Sequence, residues 1–154
     1  MSKRKIDTTL KKSVIESFQS HKREVLNDFR QEERTRLDQA SNDDMDNRHI
    51  ESKAEETLNE MDFLTHSMEI LEKEIYILKS IYQEVPNDKV EFGALLKTDK
   101  VVALIGVANE RMDVEGIQVV GISLAAPLLK AMEGKKVGDT VEVNSVSHTI
   151  EEIC

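Results

Sequence analysis

The pattern of hydrophobic and polar residues changes near residues 85–88, where the sequence reads VPND. Before this point the chain has no Pro and no Gly, and after it come both prolines and all six glycines. Because these residues interrupt regular structure, their absence over so long a stretch favours long helices. We therefore expect two domains, residues 1–84 and residues 85–154, with different architectures.

The second part of the region without Pro and Gly has the most regular apolar spacing in the sequence. Apolar or small residues recur at alternating steps of four and three over more than four heptads. They are Ile50, Ala54, Thr57, Met61, Leu64, Met68, Leu71, Ile75, Leu78 and Tyr82. Such a repeat is typical of the seam of a coiled coil.

The first part of this region has a looser apolar pattern, which predicts a helix of roughly residues 7–40. A polar cluster at Ser41–Asp43 separates it from the seam, and a short break between two helices favours antiparallel neighbours. We therefore predict an antiparallel α-helical coiled-coil hairpin over residues 7–84, with an arm roughly 50 Å long at ~1.5 Å per residue. A heptad repeat does not fix the number of chains, so dimerisation through the seam stays open.

The C-terminal region alternates at the shorter period of strands. Strand patterns occupy residues 89–98, 100–108, 117–123, 139–145 and 148–153. A single helix is predicted over residues 125–136, with Pro127 in its first turn and Gly134 as a cap after its apolar residues. The expected fold class is α+β, in which the helical hairpin precedes a small antiparallel sheet with one helix.

The charge and the composition of the chain limit the classes of function that the protein can have. The net charge is −9, and both predicted domains are acidic, with 14 Lys and Arg against 19 Asp and Glu before residue 85 and 7 against 11 after it. This balance disfavours nonspecific attraction to nucleic-acid phosphate. No apolar run is long enough for a transmembrane helix, and the basic N-terminus lacks the apolar stretch of a secretory signal. The single cysteine, Cys154, is expected on a frayed terminus and indicates a reducing compartment.

Three aspartates crowd the break between the two predicted helices: Asp43, Asp44 and Asp46. One interpretation is helix capping, because side-chain oxygens accept the unpaired N–H groups of a helix N-terminus. Capping needs one good acceptor, however, and three neighbouring carboxylates repel one another unless a cation arrives. The alternative is a partial Mg²⁺ site at Asp43 and Asp46, because Mg²⁺ is often held by one or two protein carboxylates and by phosphate oxygens.

The segment GISLAAPLLKAMEGKKVGDTVEV, residues 121–143, resembles the C-terminal domain of the GreA/GreB transcript cleavage factors. The shared positions, in the same order, are Ile122-Ser123, Ala126-Pro127, Gly134-Lys135 and Gly138-Asp139. Residues 90–96, VEFGALL, resemble the strand with which that domain begins. The order of parts, a hairpin followed by a small FKBP-like module, also agrees. The resemblance spans essentially the whole chain, and it is specific in the C-terminal domain and architectural in the hairpin.

At the tip the family reads G-D-x-x-E-N, so Asp43 matches the first acid, Asp46 stands where the family has Glu, and Asn47 matches its Asn. The resemblance implies a transcription elongation factor that binds RNA polymerase and is not an enzyme by itself. Its hairpin would enter the secondary channel, where Asp43 and Asp46, with Asp44 as a substitute, assist catalysis by helping to hold a Mg²⁺ shared with the polymerase. The polymerase would then cleave backtracked RNA by two-metal chemistry. No Mg²⁺ is expected to bind tightly to the chain alone.

The resemblance also implies how the protein meets its partner. Asn47 at the tip and Ile122, Ser123 and Pro127 in the small domain are the candidates for contact with RNA polymerase. Contact with the 3′ end of nascent RNA would be indirect, through the polymerase. The protein is expected to be a monomer in the bacterial cytoplasm, without membrane association.

Three departures from the family favour alternatives. Asn42 replaces the Gly before the first acid, Ile50 replaces an aromatic residue after the tip, and residues 107–120 look like a simple hairpin where the family has V-G-x-x-E-A-D. They favour a regulator that occupies the channel without stimulating cleavage. A coiled-coil scaffold is a further alternative. The FKBP-like fold also raises prolyl isomerisation, but Phe92 is the sole aromatic residue of residues 85–154, which argues against an aromatic-lined proline pocket.

Overall fold

The computed structural model describes the backbone of residues 5–42 and 47–154, with all their side chains except those of residues 40–42, 47–54 and 57. The protein is a mixed α+β structure, in which an N-terminal helical region precedes a six-stranded sheet. The predicted fold class is therefore confirmed at this level.

The chain divides by compactness into one unit of residues 1–19 and 77–154 and a second unit of residues 20–76. The predicted domain boundary between residues 84 and 85 stays a prediction about domain organisation.

The first long helix, α1, spans Thr8–Asn42, close to the predicted range. It begins after Asp7 because the Oδ1 atom of Asp7 accepts the N–H of Leu10 at 2.8 Å, which satisfies one of the free donors of the first turn. Leu10, Val14 and Phe18 face inward from this part of the helix and are fully buried. The apolar spacing that predicted the helix therefore also marks its covered face.

The second long helix, α2, spans Asn47–Lys79 and ends before the predicted limit at residue 84. It ends there because both the N–H and the Oγ of Ser80 bond the carbonyl oxygen of Ile77, at 3.0 and 2.6 Å, which closes the last turn. Tyr82 consequently lies beyond the helix and is exposed. Its assignment to the seam was wrong.

Within the unit of residues 20–76, ion pairs join the two helices. Lys22 pairs with Glu74 at 2.9 Å, Arg30 pairs with Glu72 at 3.2 Å, and Arg36 pairs with Glu60. Later positions of α1 meet earlier positions of α2, which is the order expected of antiparallel helices. The apolar residues Leu26, Leu64 and Ile75 are buried in this unit.

The sheet has the strand order β3-β4-β2-β1-β6-β5. Its strands are β1 (Leu95–Thr98), β2 (Val102–Gly106), β3 (Asn109–Val114), β4 (Ile117–Ser123), β5 (Thr140–Val143) and β6 (Val146–Ile153). The short helix α3 (Pro127–Met132) connects β4 to β5. The prediction for β4 is confirmed at both ends, and the hairpin predicted from residues 107–120 is confirmed as β3 and β4.

The sheet is not wholly antiparallel as predicted, because β2 and β4 pair in parallel. After β2 the chain crosses β4, forms β3 on its far side and returns as β4 through a hairpin. The hairpin turn is Glu115-Gly116, where both residues have positive φ. Such a turn suits the twist of two antiparallel strands, and the parallel pair follows from where the hairpin is placed.

The crossing between β2 and β3 leaves no room for a side chain beneath it. Two strand spacings amount to ~9.6 Å, and the three steps from Gly106 to Asn109 reach only about 10 Å when extended. The chain therefore passes directly over Gly121 in β4. A Cβ atom at Gly121 would lie 2.4 Å from the carbonyl oxygen of Val107 and 2.8 Å from the nitrogen of Asn109. The glycine at this position is required by close approach of two backbones.

Each face of the sheet has its own apolar cluster. On one face the start of α1 and the residues after α2 cover the sheet, with Phe18, Ile81, Leu104 and Val119 among the buried side chains. On the other face α3 contributes Leu129 and Met132 to a second cluster. The strands are therefore enclosed within the unit of residues 1–19 and 77–154.

The ends of α3 follow the predicted signals, although the helix is shorter than residues 125–136. Pro127 occupies its first turn, and Gly134 follows it with φ +79°. The predicted strand 89–98 is also shorter, because a turn at Phe92-Gly93 precedes β1. The N–H of Gly93, at φ +86°, bonds the carbonyl oxygen of Ile105 at 2.8 Å.

Cys154 does not lie on a frayed terminus as expected. Its N–H and carbonyl oxygen each bond Leu95 of β1 at 2.8 Å, and its side chain is buried in the cluster that includes Phe18. The ladder between β1 and β6 is therefore continued through Cys154, which fixes the residue in the sheet.

Candidate functional site

The segment that carries the family resemblance forms three consecutive elements, β4, α3 and β5. At the end of β4 the carbonyl oxygen of Ser123 accepts the N–H of Ala126 at 3.1 Å, and this turn leads into Pro127. After α3, the Oδ2 atom of Asp139 accepts the N–H of Lys136 at 2.8 Å and closes the turn that contains Gly138. The shared polar and glycine positions therefore shape the connections around α3.

The predicted contact residues of this segment differ in accessibility. Ile122 is 8% exposed and belongs to the cluster beneath α3. Ser123 is half-buried, and Pro127 is exposed. Leu124, which lies between them, is exposed. A partner would meet the side chains of Leu124 and Pro127 first, and the contact role of Ile122, Ser123 and Pro127 stays a prediction.

The acidic tip lies outside the described residues, so the structure gives no geometry for Asp43, Asp44 or Asp46. Asn47 is the first residue of α2, and only its backbone is described. On the other side of the tip, α1 remains helical through Asn42. The metal and contact roles of these residues stay predictions.

The described part of the chain offers no alternative metal site. Among the side chains that the structure describes, no group of three or more from His, Cys, Asp or Glu is placed to hold a metal ion. In residues 5–42 and 47–154, no helix is long and apolar enough to cross a membrane.

Lys11 is a buried cation that the sequence analysis missed. Its side chain is fully buried, and Nζ donates to the Oδ1 of Asn87 at 2.7 Å and to the carbonyl oxygen of Val85 at 3.2 Å. Burial lowers the pKa of Lys11, against the opposing influence of Cys154 and Glu91. Burial likewise raises the pKa of the Cys154 thiol, against the cation of Lys11.

A sequence signal for Lys11 existed, because it precedes Ile15 by four residues and Phe18 by seven, on the covered face of α1. Its hydrogen bonds tie the loop after α2 to the start of α1 within one compact unit. We assign Lys11 an anchoring role for this loop.

A cavity of about 140 Å³ lies beside this loop, and its lining includes Phe92, Tyr82, Gly93 and Lys11. Phe92 is therefore not the sole aromatic side chain at the cavity, since Tyr82 comes from the segment before residue 85. The volume is comparable with that of one amino-acid side chain.

Asp99 organises the turn between β1 and β2. The N–H of Thr149 donates to its Oδ1 at 2.9 Å, and Lys100 donates to its Oδ2 at 3.0 Å. The bond from Thr149 is the main reason that the pKa of Asp99 is lowered, and the bond from Lys100 adds to it. This carboxylate connects the β1–β2 turn to β6.

Comparison with known proteins gives a distant likeness. A search of the solved structures finds GreA factor homolog 1 (Gfh1) of Thermus thermophilus, with 18% identity and a TM-score of 0.34. The match covers 91% of this chain and 92% of that one. This is a distant likeness and not family membership. No family model matches the chain, and no curated protein matches it.

Proposed function

We propose that this protein is a Gre-like transcription factor that binds RNA polymerase. The observation that carries the proposal is the motif segment of residues 121–143, whose matched positions occupy the end of β4, the first turn of α3 and the turns before β5. The residues of the motif therefore lie on consecutive elements around α3. They are not scattered similarities of composition.

In this proposal the unit of residues 20–76 is a coiled-coil arm and the sheet unit is an FKBP-like docking module. The order of the ion pairs from Lys22–Glu74 to Arg36–Glu60 supports an antiparallel arm. Seam residues Leu64 and Ile75 are buried within the chain itself, which disfavours a scaffold that needs the seam for a second chain. The protein would therefore act as a monomer.

The tip would act on RNA cleavage only in company with the polymerase. Carboxylates suit Mg²⁺, and Asp43 and Asp46 are three positions apart, so at a helix start their side chains can point the same way. A Mg²⁺ ion bound there would supply charge stabilisation at the phosphodiester. The two aspartates would orient and retain the ion, the polymerase would supply the remaining ligands, and in the free protein the acids would serve as helix caps.

A second candidate function is occupation of the channel without cleavage. It is favoured by one observation, because α1 continues as a helix through Asn42, where the family has a glycine. A helical residue at that position would present the acids in a different direction from a glycine turn. Under this alternative the protein would compete with cleavage factors for the same channel.

The proposal is tested by binding to core RNA polymerase and by cleavage of RNA in backtracked complexes, across a Mg²⁺ titration. We expect the wild type to be retained by the polymerase and to stimulate cleavage. Asp43→Asn and Asp46→Asn keep a hydrogen-bond acceptor for capping but lose the charge, so they should retain polymerase binding and helix content while cleavage is lost. Asp62→Asn, an exposed acid further along α2, is the matched control and should leave cleavage unchanged.

The outcomes separate the candidates. Binding without stimulation at any Mg²⁺ concentration would establish the second function. Full cleavage by both Asn variants would remove the metal role of the tip. No retention by the polymerase, together with a stable dimer in sedimentation, would reject both functions in favour of a scaffold.

A further inference from the structure

A groove opens on the flank of the unit of residues 20–76, between α1 and α2. Its volume is about 320 Å³. Its walls are Glu32, Arg36, Glu56, Asn59, Glu60, Phe63 and Leu64. All of these side chains belong to one compact unit. None of these wall residues is a tip aspartate or belongs to the motif segment of residues 121–143.

Three of the wall residues are glutamates, and Arg36 already pairs with two of them. The guanidinium of Arg36 pairs with Glu60 across the helices and with Glu32 on its own helix, the latter at 2.8 Å. Glu56 is exposed and makes no ion pair within the described part of the chain. Three carboxylates against one guanidinium leave the groove with a surplus of negative charge.

The same groove has an exposed aromatic face. Phe63 is 66% exposed, whereas its neighbour Leu64, on the seam, is 3% exposed. Phe63 lies outside the seam positions, so the pairing of α1 with α2 does not cover it. A large aromatic side chain left in water next to carboxylates is a feature of recognition sites for cations with flat or apolar surfaces.

We propose that this groove is a docking site for an arginine-bearing basic segment of a partner protein. A guanidinium can lie flat on the ring of Phe63 and donate paired hydrogen bonds to the carboxylate of Glu56. Lysine lacks the planar surface and the fixed fork of donors, so arginine is preferred. Arg36 supports this choice, because it shows a guanidinium held between carboxylates of the two helices in the same groove.

The charge of the whole unit points to the same occupant. Residues 20–76 contain 8 Lys and Arg against 16 Asp and Glu, a net charge of −8. A second copy of this arm or a nucleic acid would meet like charge, whereas a basic segment is attracted. The inference goes beyond the proposed function, because it needs no RNA polymerase and no metal at the tip.

The test uses the full-length protein and a short fluorescein-labelled helical peptide that carries arginines and leucines on one face. Binding is measured by fluorescence anisotropy at low and at physiological salt. Two further peptides replace the arginines with lysines or with glutamates. We expect the arginine peptide to bind at least about threefold more tightly than the lysine peptide, the glutamate peptide to bind at least about tenfold more weakly, and salt to weaken binding.

Variants locate the binding within the groove. Phe63→Ala and Glu56→Gln should each weaken binding of the arginine peptide by about five- to tenfold. The matched controls are Tyr76→Ala, an aromatic residue that is 74% exposed on the same helix, and Glu69→Gln, an exposed acid outside the groove; each should change affinity less than about twofold. Phe63→Leu keeps apolar surface without the ring, so it should reduce the preference for arginine over lysine, of which the paired hydrogen bonds to Glu56 retain a part.

Three results would overturn the inference. The first is no saturable binding of the arginine peptide to the wild type. The second is an equal loss for Glu56→Gln and Glu69→Gln, which would indicate diffuse charge attraction. The third is an unchanged arginine preference in Phe63→Leu. Circular dichroism of every variant checks that the helices are intact. The peptide assay contains no RNA polymerase, so failure of peptide binding would not contradict the proposed function. Likewise, failure to bind RNA polymerase would not contradict peptide binding in the groove.

Discussion

Replacing Gly121 with alanine tests whether the crossing between β2 and β3 depends on the missing side chain. Gly121 pairs with Leu104 on one side and with Asn109 on the other, so it lies within the sheet on both edges of β4. Unlike four other glycines of the chain, Gly121 does not have a positive φ, so its backbone is not in the left-handed region. Alanine would therefore fit the local backbone, and any cost must come from the contacts of the new Cβ.

The size of the effect follows from those contacts. The new Cβ would lie 2.4 Å from the carbonyl oxygen of Val107 and 2.8 Å from the nitrogen of Asn109, so one backbone must move by close to 1 Å relative to the other. Overpacking of this kind costs about 1–3 kcal/mol, and the displaced ladder loses a hydrogen bond worth about 1 kcal/mol. Alanine lowers the conformational entropy of the unfolded state relative to glycine, which offsets about 0.4–1 kcal/mol of this loss. We expect Gly121→Ala to lower the free energy of unfolding by about 1–3.5 kcal/mol.

Gly106→Ala is the matched control. Gly106 also lies in a central strand without positive φ, and its Cβ would meet only side-chain atoms of Ile81 and Phe92, the nearest at 3.4 Å. This is ordinary van der Waals contact, so the reduced entropy of the unfolded state should leave the variant neutral or more stable by up to about 1 kcal/mol.

The assay is urea denaturation followed by circular dichroism, supported by the melting temperature of each variant. A loss of about 1–3.5 kcal/mol corresponds to a melting temperature lower by roughly 2–14 °C for a chain of this size. If Gly121→Ala and Gly106→Ala have free energies of unfolding within about 0.5 kcal/mol of each other, the crossing has room for a side chain and the reasoning fails.

Three further predictions concern the same unit. Ser145 has φ +65° in the β5–β6 turn, so Ser145→Gly should raise the free energy of unfolding by about 0.5–1 kcal/mol in urea denaturation, and a loss would contradict the strain argument. The pKa of Lys11 is lower in the folded protein than its ordinary value of about 10.5. Between these two pKa values the unfolded state binds more protons than the folded state, so the free energy of unfolding rises with pH in that window. Lys11→Met should remove that rise from the stability–pH curve, and an identical curve would refute it. The pKa of Asp99 is lowered chiefly by the N–H of Thr149. Its contribution to the free energy of unfolding is therefore present above the pKa of the unfolded state and is lost as the pH falls through the pKa of the folded state. Asp99→Asn should reduce the acid sensitivity of unfolding, as measured between about pH 6 and pH 3.

The local pattern of the sequence determined the elements. The apolar spacing predicted α1 and α2, and the alternation of IQVVGIS predicted β4 at both ends. Pro127 and Gly134 predicted where α3 is bounded, although the helix is shorter than the predicted residues 125–136. These signals are local, because helix and strand periods depend on which side of the element is covered and not on what covers it. The candidate tip acids and the motif around α3 were likewise found from the sequence, although the structure describes only the latter.

The tertiary structure decided which elements meet. The parallel pairing of β2 and β4 depends on where the β3–β4 hairpin is placed, and a strand pattern has the same period whichever neighbour it has. The burial of Lys11 follows from the elements that cover it, since lysine is rarely buried. Cysteine is often buried, but the position of Cys154 in the sheet follows from its backbone bonds with Leu95, which the sequence pattern does not show. The groove at Phe63 exists because its walls come from α1 and α2 together, at positions far apart in the sequence. The spacing of apolar residues in one segment indicates which face of that segment is covered. Strand pairing, the crossing over β4 and the groove between the helices depend on contacts between segments, which only the folded chain brings together.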